Sequence, residues 1–179
     1  MKWKVFFILC PFIFFTIPNT ACGEKDIRVR GKETIHVDVT THLGDQQVFM
    51  EGDTLSFLIS VDKDAYIWVI YEDAAGQFMQ LLPNTHQQEH YYKSGWYITF
   101  PGEDAPFLFK VKAPFGLETL WVFASDVEGP EFEGEVLTNG LKKLKESIVA
   151  IKRKIEQNAH SAFGESKLLI QTRIKSNHR

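Results

Sequence analysis

The chain has 179 residues, of which 44% are hydrophobic and 24% charged, and a formal net charge of −3 at pH 7. That length suits one domain of about 100 to 200 residues, and the mildly acidic balance excludes the strongly basic footprint that drives nucleic-acid binding. Fifteen Phe, five Tyr and four Trp favour strands, because wide rings pack well on a pleated surface.

The first element is a targeting segment. Lys2 and Lys4 form a basic head, residues 5–17 are apolar apart from Pro11 and Thr16, and small residues follow at Thr20 and Ala21. This three-part pattern predicts a secretory signal over residues 1–21 that is removed on export. Thirteen residues interrupted by Pro11 fall short of the roughly 20 that cross a hydrocarbon core. The expected location is therefore the periplasm or cell envelope.

Cys10 leaves with that segment, so Cys22 is the only cysteine beyond it and no internal disulfide can form. Thr20, Ala21, Cys22 and Gly23 resemble the end of a lipoprotein signal, which implies lipidation of Cys22 and attachment to a membrane. Asn19 stands where such signals carry an aliphatic residue. Two outcomes stay open: a lipid anchor on Cys22, or plain cleavage leaving an exposed thiol.

Residues 22–33 are polar, with Arg28, Arg30 and Lys32, and are expected to be a tether. The folded domain is expected over residues 34–175, with a polar tail at 176–179. From Thr34, Ile35, Val37 and Val39 alternate with His36, Asp38 and Thr40, the period of a half-buried strand. Leu55, Phe57, Ile59 and Val61 alternate next, Asp62-Lys63-Asp64 interrupts, and Tyr66, Trp68 and Ile70 resume, which predicts a hairpin. A short strand is expected at 78–82, stopped by Pro83-Asn84. Trp96, Ile98 and Phe100 form one further set, and Phe107, Phe109 and Val111 another, before a more continuously apolar strand at 117–123. Many short strands between turns predict a mainly β fold, a β-sandwich of immunoglobulin-like or related type.

The period then changes. Leu141, Leu144, Ile148, Ile151 and Ile155 are spaced by three and four, which predicts an amphipathic helix near 140–157 capped by Thr138 or Asn139. Lys142, Lys143, Lys145, Lys152, Arg153 and Lys154 would form its solvated basic side. Leu168, Ile170 and Thr172 permit one final strand after Gly164.

Between Phe49 and Asp126 a succession of short motifs resembles the bacterial family catalogued as domain of unknown function (DUF) 4384. Glu51-Gly52-Asp53 comes first, followed by Asp64-Ala65-Tyr66-Ile67-Trp68-Val69-Ile70, and Gly76 leads to Leu81-Leu82-Pro83-Asn84. Ser94-Gly95, Pro101 and Pro114-Phe115-Gly116-Leu117-Glu118 complete the order. The resemblance implies a β-rich domain of exported or multidomain bacterial proteins and supplies no catalytic residues.

One segment has the letters of a catalytic motif. His86-Gln87-Gln88-Glu89-His90 matches the H-x-x-E-H arrangement of inverted zinc peptidases. That chemistry needs a helix, so that both histidines share a face and bind zinc while the glutamate activates water. The pentad instead follows a Pro-Asn stop and is expected to be a polar loop. The acidic residues Asp126, Glu128, Glu131, Glu133 and Glu135 lack the ligand spacing of a calcium loop and are expected to be solvated. No cofactor is expected. The sequence thus predicts a noncatalytic envelope module that presents its β-domain to a protein or cell-envelope component. The alternative is a zinc hydrolase using His86, Glu89 and His90.

Overall fold

The computed structural model describes residues 31–44 and 46–175. The expected signal at 1–21, Cys22, the tether as far as Arg30 and the tail at 176–179 lie outside the described residues. No described helix is long and apolar enough to cross a membrane.

In chain order the early strands are β1 (Glu33–Thr34), β2 (Val37–Thr41), β3 (Val48–Met50), β4 (Thr54–Leu55), β5 (Phe57–Val61), β6 (Ala65–Glu72) and β7 (Phe78–Leu82). There follow β8 (Tyr91–Tyr92), β9 (Ile98–Phe100), β10 (Phe109–Lys110), β11 (Leu117–Ser125), β12 (Gly134–Val136), β13 (Lys142–Leu144), helix α1 (Ile148–Asn158) and β14 (Ala162–Arg173). Nine strands form one sheet, in the order β1-β14-β11-β6-β7-β13-β12, with β3 beside β14 and β8 beside β6. A second sheet runs β2-β5-β9, and β4 pairs with β10.

The fold is mainly β, as expected, with one late helix followed by a strand. Its layers follow from strand alternation. In the large sheet Leu120 lies opposite Tyr71 and Leu168, and Val122 opposite Val69. This face joins Phe57, Ile59, Val61 and Phe100 of the second sheet in one inner core. The other face puts Phe123 opposite Trp68 and Trp121 opposite Ile70, and α1 covers it with Ile151 and Ile155. Burying each isoleucine contributes roughly 1.5–3 kcal/mol. Because β11 is covered on both faces, its sequence is nearly continuous in apolar residues.

Three expectations need correction. The runs of β5 and β6 are not a hairpin: β5 pairs with β2 and β9, and β6 with β7, β8 and β11. Alternation fixes which side chains face inward but not which strand lies alongside, so residues 62–64 cross between sheets. Phe107 to Val111 is strand only at Phe109–Lys110. The run beginning at Thr34 divides as well, β1 joining β14 and β2 joining β5.

The helix is also shorter than expected, Ile148–Asn158 instead of 140–157. Leu137 donates its N–H to Leu141 and Gly140 adopts φ +82°, so this stretch turns the chain from β12 into β13. Three positions apart in extended chain, Leu141 and Leu144 face opposite ways: Leu141 enters the inner core and Leu144 the outer one. Ser147, rather than Thr138 or Asn139, caps the helix, its Oγ accepting from Ala150 N at 3.3 Å. Lys142 and Lys143 are therefore strand residues, and no continuous basic helical face exists. Of the helical lysines, Lys152 pairs with Glu165 and Lys154 with Glu146.

Candidate functional site

The inward positions of β11 carry Leu120, Val122 and Ala124, and the next one along is Glu118. It is 2% exposed. The register that sets Leu120 opposite Tyr71 and Glu118 opposite Ile170 brings a phenol and the nearby Thr172 hydroxyl to this carboxyl group. Tyr71 donates its O–H to Oε2, and Thr172 Oγ1 lies 3.0 Å from Oε1. Thr172 Oγ1 also accepts from Gly116 N at 3.0 Å, which leaves its one hydrogen for donation. Thus three strand segments, at Tyr71, Glu118 and Thr172, are tied through one buried acid.

Burial pushes the Glu118 carboxyl above its ordinary value, against the lowering effect of the Tyr71 and Thr172 hydrogen bonds, and the charge of Asp73 adds to the rise. Burial also carries the Tyr71 phenol well above its usual range, reinforced by the hydrogen bond and charge of Glu118. The two groups form an acceptor–donor pair whose proton stays on the phenol.

This pair borders a cavity of about 350 Å³, whose apolar walls include Phe57, Met79, Leu81, Phe107, Phe109 and Leu141. Such a size lies within the roughly 300–1,000 Å³ of small-ligand pockets. Phe100, Phe107 and Phe109 form an aromatic cluster with centroids 5.4–6.3 Å apart. Asp73, Lys110 and Lys112 also line the space. Asp73 is held in place because its Oδ1 accepts from Ala75 N at 2.9 Å and Gln77 N at 2.8 Å. A half-open apolar pocket with a fixed acceptor on its wall has room and chemistry for an apolar group bearing a hydrogen-bond donor.

The residues singled out in sequence lie elsewhere or serve the fold. The pentad at 86–90 is a loop between β7 and β8, not a helix. His86 Nε2 is 3.3 Å from the Asn139 carbonyl, and its ring lies beside Phe107. His90 is 8% exposed, packed against Tyr66 and Trp68 at centroid distances of 5.4 and 5.2 Å. Glu89 accepts from Tyr91 N at 3.2 Å. The two histidines thus occupy separate surroundings, and among the described residues no group of three His, Cys, Asp or Glu side chains gathers to hold a metal. In the acidic segment Asp126 accepts from His160 N at 2.9 Å and from Ser161 N at 2.7 Å, fastening the turn after α1.

Sequence reading missed Tyr71, Asp73 and Glu118 as a group. The available signal was a carboxylate at an inward position of an otherwise apolar strand.

The fold and this cavity define a mainly β domain of stacked sheets with a half-open aromatic pocket. Residues 48–128 match the family model described as Domain of unknown function (DUF4384). The match agrees with the motif order in the sequence and covers less than half of the 179 residues. It takes in Tyr71, Asp73, Glu118 and most of the apolar wall, and leaves Leu141, α1 and Thr172 outside. No curated protein and no solved structure matches the chain.

Proposed function

We propose that the protein is a noncatalytic binding module of the bacterial cell envelope, engaging a group of a protein or envelope component in the aromatic cavity beside Glu118. The cavity is the observation that carries this reading. Both oxygens of Glu118 already accept hydrogen bonds from Tyr71 and Thr172, which suits fixed recognition better than proton transfer. Trp96 and Tyr97, 74% and 75% exposed, add aromatic surface of the kind enriched at protein interfaces. Export rests on the signal at 1–21, and a lipid on Cys22 would hold the domain at a membrane.

A photo-crosslinking residue in place of Leu108, which is exposed and borders the cavity, tests the reading in intact cells. A discrete adduct with an envelope component is expected, lost when Met79→Trp fills the cavity. An adduct pattern unchanged by Met79→Trp, or a protein retained in the cytoplasm, would overturn the proposal.

A further inference from the structure

We infer that the cavity selects an organic ammonium, a protonated amine on an aryl or short alkyl body, with Glu118 as its recognition group. This inference rests on the binding-module reading above and names the ligand class. The apolar wall of Phe57, Met79, Leu81, Phe107 and Phe109 accepts a hydrophobic body and gives no polar partner to most of its surface. The polar groups at the border are unequal in position. Glu118 is buried at 2% exposure, whereas Lys110 and Lys112 are exposed. A buried carboxyl is costly to ionise without a cation, and none of the hydrogen bonds it receives brings one: Tyr71 and Thr172 are neutral donors.

Asp73, which follows β6, adds a second negative charge bordering the same space. An ionised carboxylate has about four lone-pair sites, of which the two hydroxyls occupy two. An incoming N⁺–H therefore has an acceptor site, and its charge compensates the ion. A carboxylate or phosphate ligand would meet Glu118 and Asp73 with like charge. A neutral alcohol of the same shape would gain the wall contacts and donate a hydrogen bond, but would bring no charge to compensate the carboxylate.

Tryptamine and tryptophol test this, since they share an indole body and differ in ending on an ammonium or a hydroxyl. Calorimetry on the folded domain should show tryptamine bound at least about tenfold more tightly, the scale of one charge-assisted hydrogen bond. Glu118→Gln, which keeps an acceptor for Tyr71, should remove that preference, bringing the two affinities together. Wild-type protein gives a reading free of any variant: lowering the pH enough to protonate Glu118 should weaken tryptamine more than tryptophol, so that the preference shrinks.

Equal binding of the two ligands, or a preference that survives Glu118→Gln, would overturn the ammonium inference while leaving the cavity a binding site. Binding of neither ligand would overturn the ammonium inference too, and the crosslinking experiment would then judge the module reading separately.

Discussion

The Tyr71 hydroxyl donates to Oε2 of Glu118 across the join between β6 and β11, where the inward row of β11 would otherwise be apolar. Burial raises the Glu118 carboxyl above its ordinary 4.5, so the folded protein holds this proton more tightly than the unfolded chain. Its favourable contribution is present in full below pH 4.5 and is lost as the pH rises through the raised folded value. Glu118→Gln abolishes the titration and keeps a hydrogen-bond acceptor. Urea denaturation should show wild type losing stability relative to Glu118→Gln as the pH rises above 4.5. A constant difference would contradict the buried-acid assignment. Glu118→Leu, which strands the Tyr71 hydroxyl while Thr172 keeps the Gly116 carbonyl at 3.3 Å, should cost about 1–3 kcal/mol.

Asp64 titrates in the opposite sense. Its carboxylate takes Lys93 Nζ at 2.8 Å and Ser94 N at 2.9 Å, joining the crossover after β5 to the turn after β8. The Lys93 hydrogen bond, then that of Ser94, holds it down from 3.8 to about 2. Its contribution is therefore present above pH 3.8 and disappears as the pH falls through about 2. Wild type should melt above Asp64→Asn at neutral pH, and thermal melts should converge on acidification. A gap that persists in acid would show that the side chain acts through something other than its charge.

Which residues face inward was largely legible in the sequence, because period-two alternation records burial directly: Phe57, Ile59 and Val61 of β5 all reach the inner core. Which strands pair was not, because β5 and β6 carry the same alternation whether they form a hairpin or face each other from two sheets. Leu141 and Leu144 show the converse limit. A spacing of three suits one side of a helix and opposite sides of a strand, and only the turn at Gly140 selects the strand. The acid at the cavity escaped notice because Tyr71, Glu118 and Thr172 are distant in sequence and meet only through the register of β6, β11 and β14.

The helix boundary has its own test. Ser147 Oγ caps α1 through Ala150 N, so Ser147→Ala should lower stability by about 0.5–2 kcal/mol and reduce the helical part of the far-ultraviolet circular dichroism. Thr138→Ala and Asn139→Ala should leave that helical signal intact. Asn139 Oδ1 accepts from Leu141 N at 3.2 Å, so its loss loosens the turn into β13 instead. A helical signal sensitive to Thr138→Ala or Asn139→Ala, and insensitive to Ser147→Ala, would restore the longer helix.

Gly164 is where β14 meets the crossing chain most closely. Ile35 lies between β1, which belongs to the large sheet, and β2, which belongs to the small one, and its N–H donates to Phe163 at 2.9 Å. A Cβ added at Gly164 would fall on the Ile35 carbonyl, with Ile35 Cβ at 2.9 Å. Because the obstructing atom is backbone, no rotamer change relieves the clash, and the chain between β1 and β2 must move. Gly164→Ala should therefore cost about 1–3 kcal/mol, the usual range for overpacking, and hydrogen exchange at the Ile35 amide should accelerate as its bond to Phe163 weakens. Gly31→Ala is the control, since a Cβ there meets nothing within 4 Å. Slow exchange at Ile35 and unchanged stability in Gly164→Ala would mean that the chain does not pass over β14 at this point, and the division of the first apolar run between two sheets would fall with it.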